Sequence, residues 1–221
     1  MKILKNRNPA VPGFKAAGLD CGIKTDCIKD LALIVSESPA NAAAVFTKNR
    51  VVSPGVTWSR RALGKSGSCR AVIVNSGNAN AVTGSKGLKD CDAITKKIAQ
   101  ELGIPQTEVF IASTGIIGVP LPSHKILQAT PKLVSSLGGK AKNWTDASEA
   151  IMTTDLISKS DRISYSYKGK RIVIGGITKG SGMVHPNMAT MLGFVFTDAV
   201  IDSKTLKMAL TEAADRSFNR I

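Results

Sequence analysis

The stretch Lys179-Gly180-Ser181-Gly182-Met183-Val184-His185-Pro186-Asn187-Met188-Ala189-Thr190-Met191-Leu192 is the most informative part of the chain. A loop rich in glycine and containing proline leads to a small residue and a threonine, and the apolar run Met191 to Phe196 starts directly behind them. Glycine and proline at this density mark a loop, and a short apolar run bounded by such a loop reads as a strand. Loops that cradle phosphate also use glycine, but their signature closes on Gly-Lys-Ser/Thr, which is missing here. Gly64-Lys65-Ser66 has that ending, yet Ser59 stands where the first glycine of the pattern belongs. An ordinary loop before a strand accounts for the pattern alone as well as a reactive one does.

Strand-like runs recur on both sides of this stretch. Leu31 to Val35, Ala42 to Phe46, Ala71 to Val74 and Val109 to Ala112 are short and apolar. The third runs into Asn75-Ser76-Gly77-Asn78, read as a turn, and the fourth into Ser113-Thr114-Gly115. Ile163 to Tyr167 and Arg171 to Ile174 flank Lys168-Gly169 as a hairpin does. Helical spacing shows in Leu88, Cys91, Ile94, Ile98 and Leu102, with Gly103 as the stop. A second helix is expected around Pro131, ending at Gly138-Gly139. A third, capped by Ser203, carries Leu206, Ala209, Leu210, Ala213 and Ala214 on one face. Strands alternating with helices imply a mixed α/β (α+β) architecture.

Composition narrows the function classes. The 221 residues are 43% apolar and 21% charged, so a packed core is expected rather than disorder. No apolar run reaches the roughly 20 residues of a membrane helix. The opening Met1 to Arg7 carries charge with no apolar core behind it, which argues against a secretory signal. Thirty Lys and Arg against sixteen Asp and Glu give +14. The basic residues are scattered singly and in pairs, and two Trp, two Tyr and six Phe offer little for base stacking. Nucleic acid is therefore not the expected partner; an anionic small substrate suits the charge as well. Cys21, Cys27, Cys69 and Cys91 lack the short spacing of zinc ligands and are expected as buried, reduced thiols of a cytoplasmic protein.

Five separated motifs in order make the pattern specific. Gly13-Phe14-Lys15-Ala16-Ala17-Gly18, Val74-Asn75-Ser76-Gly77-Asn78-Ala79-Asn80-Ala81, Ala112-Ser113-Thr114-Gly115-Ile116-Ile117-Gly118, Ala150-Ile151-Met152-Thr153-Thr154-Asp155 and Lys179 to Leu192 together resemble the glutamate N-acetyltransferase (ornithine acetyltransferase, ArgJ) family of arginine biosynthesis. The resemblance implies a layered α-β-β-α sandwich of the kind shared with self-cleaving aminopeptidases. It implies self-cleavage between Ala189 and Thr190, with residues 1–189 as the first subunit and 190–221 as the start of the second. Thr190 is then the nucleophile, Thr114 and Gly115 form the oxyanion hole, and Thr153, Lys179 and Thr190 bind substrate. No metal or organic cofactor is implied; acetyl-coenzyme A is open as a co-substrate. The expected assembly is a heterotetramer of two copies of each subunit.

The chemistry suits these residues. A threonine hydroxyl is a weak nucleophile and needs a base. Cleavage before Thr190 frees an α-amine of pKa about 7.7–8.0 on the same residue, which can take the hydroxyl proton. His185 and His124 are not needed for that task; His124 reads as a helix-start residue. Without the resemblance, Lys179 reads as solvated surface, Thr153 as a helix-end hydroxyl, and Asp155 as orienting Thr153 or lying on the surface. Asn75 and Asn78 are expected to shape a turn, with lining of the pocket as the alternative. Family members continue past Ser217 to Ile221, so the sequence reads as C-terminally truncated. An aminopeptidase of the same superfamily is the alternative enzyme, and a basic protein without chemistry is the alternative from another class.

Overall fold

In the computed structural model the described residues are 4–6, 8–182 and 191–220. Their strands form two four-stranded sheets. The first contains β2 (Phe14–Leu19), β3 (Leu31–Asn41), β4 (Ser68–Asn78) and β5 (Val109–Ile116), in that order. Here β2, β3 and β4 pair antiparallel, while β4 and β5 run parallel. The parallel pair needs a crossover, which α2 (Gly84–Leu102) supplies. The second sheet, β1 (Leu4–Asn6), β6 (Lys159–Tyr167), β7 (Lys170–Lys179) and β8 (Leu192–Thr197), is antiparallel throughout and ordered β1-β6-β7-β8.

The run Leu31 to Val35 shows how the layers stack. All five residues are buried because both faces of β3 are covered. Leu31, Leu33 and Val35 join Ile73, Val109 and Ile111 beneath Cys91, Ile94 and Ile98 of α2 and Ile126 and Leu133 of α3 (Ser123–Ser135). The alternate residues Ala32 and Ile34, with Ala16 and Val74, face Val173 and Ile177 of β7 and Phe196 of β8. Helix α4 (Ala141–Ala150) adds Trp144, Ala147 and Ala150 to that inter-sheet layer, and Trp144 meets Phe196 edge-on at 5.3 Å. On the outer helical side, α1 (Pro54–Ser66) anchors to β5: Ser59 Oγ donates to the Ile111 carbonyl at 2.9 Å and accepts from its amide at 3.0 Å. This is the layered mixed α and β sandwich expected from the resemblance. After β8, α5 (Ser203–Arg216) lies largely exposed, with Ala214 as its buried residue.

Local chemistry explains most boundaries. Ser53 caps α1, Pro54 follows at the first helical position, and Gly67 closes the helix at φ +65°. Gly103 ends α2 as expected, at φ +63°. Lys168 and Gly169 form the two-residue hairpin turn with both φ positive. Several expectations need correction. Ala42 to Phe46 is not a strand: pairing ends at Asn41 opposite Ser68, and beyond it no strand among the described residues pairs with the chain. Asn75 to Asn78 is not a turn, because β4 continues through it alongside parallel β5. Asp202, not Ser203, caps α5, its carboxylate accepting from the Thr205 amide at 2.9 Å. Cys27 is exposed, held at φ +54° on a surface loop, and Cys21 and Cys69 are half-buried. No helix of the described residues is long and apolar enough to cross a membrane.

Candidate functional site

Both sheets send a strand end to the same place. Lys179 ends β7 of one sheet, and Thr114 lies near the end of β5 of the other. The Lys179 Nζ donates to Thr114 Oγ1 at 3.0 Å and to Thr153 Oγ1 at 2.8 Å, Thr153 being in the link from α4 to β6. Three residues from distant motifs thus meet at one ammonium. Lys179 is only 4% exposed, so its reading as solvated surface is overturned. A buried lysine needs partners, and two hydroxyls are modest ones. Burial pulls its pKa below the ordinary lysine value, Asp155 opposes that, and Lys159 reinforces it.

Asp155 is buried too, which excludes its surface reading. Its Oδ1 accepts from Gly180 N at 2.8 Å and from Lys159 Nζ at 2.5 Å, and its Oδ2 from Thr153 N at 3.3 Å. Burial alone would raise its pKa; the Lys159 ammonium and the two amides outweigh that and hold the carboxyl below its usual range. Thr154 Oγ1 and Ser181 Oγ lie 2.8 Å apart and join the same two stretches. Lys24 enters from the loop between β2 and β3, donating to the Met152 carbonyl at 2.7 Å. Burial lowers its pKa, Asp30 opposes the shift and Lys179 adds to it. The loop is pinned by Asp30, whose carboxylate accepts from the amides of Cys21, Ile23 and Lys24. Lysines 24, 159 and 179 give the site a positive character suited to a carboxylate ligand.

Thr114 is buried, whereas the next residue, Gly115, is exposed. Gly115 has φ +135°, and a Cβ there would lie 2.3 Å from the carbonyl carbon of Gly77, its partner in the parallel register. Only glycine fits this approach. Buried amides brace the strand end: Ser113 Oγ donates to Asn75 Oδ1 at 2.6 Å, Asn75 Nδ2 to the Asn78 carbonyl at 2.8 Å, and Asn78 Nδ2 to the Val119 carbonyl at 3.1 Å. Asn75 and Asn78 therefore shape the end of β4 from inside the protein rather than at a surface turn.

Of the residues singled out in the sequence, Thr114, Thr153 and Lys179 come together, and Gly115 follows Thr114 along β5. Ala189, Thr190 and His185 lie outside the described residues. His124 is the second residue of α3 and exposed. Lys24 and Lys159 were missed. Lys159 could have been found from its position four residues after Asp155; nothing local marks Lys24. Among the described residues no three His, Cys, Asp or Glu side chains converge as metal ligands.

Comparison with known proteins gives this arrangement a context. A family model described as the ArgJ family matches residues 15–221. The arginine biosynthesis bifunctional protein ArgJ of Caldanaerobacter subterraneus subsp. tengcongensis is 46% identical over 222 residues, which is 100% of this chain and 54% of that protein. The structure of the arginine biosynthesis bifunctional protein ArgJ from Bacillus halodurans is similar with a TM-score of 0.81 at 38% identity, over 85% of this chain and 98% of that one. Ornithine acetyltransferase from Mycobacterium tuberculosis, solved in complex with ornithine, gives a TM-score of 0.76 at 36% identity, over 83% and 97% of the two chains. The chain spans about half the length of the curated relatives it matches.

Proposed function

The chain belongs to the ArgJ family, and from that premise we propose that it carries the Thr190 part of an acetyltransferase of arginine biosynthesis, which moves acetyl from N2-acetyl-L-ornithine to L-glutamate. The observation that supports the reading most is the Lys179 ammonium, buried where the Thr114, Thr153 and Lys179 motifs converge. Family membership supports reading this convergence as a substrate site, and its positive character suits substrates that carry carboxylates.

In this reading the peptide bond between Ala189 and Thr190 is cut, dividing the chain into 1–189 and 190–221. The freed α-amine of Thr190 takes the hydroxyl proton as the oxygen attacks the acetyl carbonyl carbon. Negative charge on the carbonyl oxygen is met by Thr114 and Gly115, a kind of contact worth a few kcal/mol. The bond from carbonyl carbon to nitrogen breaks, the proton passes to the departing amine, and ornithine leaves an acetyl-threonine ester. The α-amine of glutamate then attacks the ester, and its proton returns to the Thr190 oxygen. Lys179 and Thr153 hold the substrate carboxylate in both halves. No metal or organic cofactor takes part. Acetyl-coenzyme A could serve the same threonine as an alternative donor. The mature form is two copies of each subunit, working in the cytoplasm.

Intact-mass spectrometry of the full-length protein, wild type and Thr190→Ala, tests the cleavage. Two fragments are expected for wild type and one uncut mass for the variant; an uncut wild type that still transfers acetyl overturns the mechanism. Assay of acetylornithine with and without glutamate separates transfer from the simple hydrolysis an aminopeptidase-like enzyme would catalyse.

A further inference from the structure

We propose that Asp155 is a positioning residue of this site: its buried carboxylate ties the Thr153–Asp155 turn to the end of β7 and so holds the Lys179 ammonium against Thr114 and Thr153. The kinetic side of this inference rests on the acetyl-transfer reading; the geometric side does not. The Asp155 side chain is 1% exposed, and both its oxygens are engaged by donors from three stretches: Thr153 in the turn, Lys159 on β6 and Gly180 just past β7. The groups packed around it that carry charge are Lys24, Lys159 and Lys179. The bond to the Gly180 amide is the decisive one. Gly180 sits at φ +150°, and among the described residues a Cβ there would come no closer than 3.4 Å to a neighbour, Met191, so crowding by them does not set its conformation. The carboxylate sets it, and with it the direction in which the preceding residue, Lys179, leaves the strand. The contact between Thr154 and Ser181 is an outer tie between the same segments, too exposed to do this alone. Among the described residues Asp155 is covered by its donors, and its contacts lead to Lys179 and Thr153 through the Gly180 and Thr153 amides. It therefore acts by placing Lys179, and its charge partly offsets the cost of burying that ammonium.

The test uses the full-length protein with Asp155→Asn, which keeps the shape and one acceptor but loses the charge, and Lys159→Met, which leaves both amide bonds. Asp146→Asn is the structural control: it breaks ion pairs to Lys29 and Lys142 on the outer side of α4. Asp155→Asn is expected to raise KM for acetylornithine and for glutamate about tenfold with much less change in kcat, the pattern of lost ground-state binding. Lys159→Met shifts KM the same way and less, and Asp146→Asn lowers Tm without moving KM. Amine-specific acetylation read peptide by peptide gives a measure independent of activity. Lys179 reacts slowly in wild type and several-fold faster in Asp155→Asn, while the exposed Lys142 reacts equally in both. Should Asp155→Asn fail to fold, the same two readouts are taken on Lys159→Met. Unchanged KM and unchanged Lys179 labelling in a folded variant overturn the proposal. A wild type without acetyl transfer overturns the functional reading instead, and the labelling still decides this one.

Discussion

Replacing Gly115 by alanine should damage both stability and activity, for one geometric reason. The added Cβ would lie 2.3 Å from the Gly77 carbonyl carbon, 2.6 Å from the Asn78 nitrogen and 2.7 Å from the Gly77 oxygen. All three are backbone atoms, so no side chain can swing away. Carbon atoms rest near 3.5–4.0 Å, so the ends of β4 and β5 must part by roughly 1 Å. Overpacking of this kind costs about 1–3 kcal/mol, and the φ of +135° adds strain of about 1–3 kcal/mol for a residue with a side chain. The combined loss, about 2–6 kcal/mol, is a large part of the stability of an ordinary domain. For the oxyanion donor proposed above, a shift of about 1 Å costs on the order of a hundredfold in rate. Urea unfolding followed by circular dichroism gives the first quantity, and kcat/KM for acetyl transfer on the folded fraction gives the second. Gly77→Ala is the comparison: it shares the strain of a positive φ, +93°, but its Cβ meets the Ile23 and Lys24 side chains, at 2.9 and 3.1 Å, rather than backbone. Gly13→Ala adds only the strain of φ +80°, with none of the described residues within 4 Å of its Cβ. If Gly115→Ala unfolds with wild type, the close strand approach is wrong. If it is destabilised yet fully active, the oxyanion role of Gly115 is wrong.

Other outcomes follow from the packing and the charges. Trp144 is fully buried, so Trp144→Ala should cost about 3–5 kcal/mol in urea unfolding; Trp144→Phe should cost far less, since the indole N–H has no acceptor among the described residues. Asp155 and Asp146 both have folded pKa values held below the ordinary carboxylate value of about 3.9. Their contribution is therefore complete above that value and lost as pH falls through the folded values. The urea midpoint should drop below about pH 4, less steeply in Asp155→Asn; equal slopes would contradict the Asp155 ion pair. A thiol reagent at pH 8 should label exposed Cys27 rapidly in the native protein. Cys69 and Cys91, their pKa pushed up to about 12 by burial, should react only on unfolding.

The sequence made the sandwich legible where side-chain pattern and local chemistry agree. Leu88 to Leu102 repeats at helical spacing and meets Gly103, and Lys168-Gly169 carries its own turn geometry. It failed where tertiary partners decide. Ala42 to Phe46 has the composition of a strand but no strand beside it among the described residues, and Asn75 to Asn78 has the composition of a turn but a parallel strand beside it. At the site, motif order drew attention to Thr114, Thr153 and Lys179, but no spacing in the chain could say that Lys179 is buried. Its neighbours Thr114, Thr153 and Asp155 come from segments far apart in the chain, and only the fold brings them to Lys179.

Thr114 and Lys179 hang from different sheets, yet a single hydrogen bond joins them. The gap between the sheets is thus the ruler that sets their separation, and greasy volume deep in the sandwich, Trp144 against Phe196 and Ile34 near Val173, calibrates it. Resizing that filling offers a way to shift Lys179 against Thr114 without substituting any polar side chain.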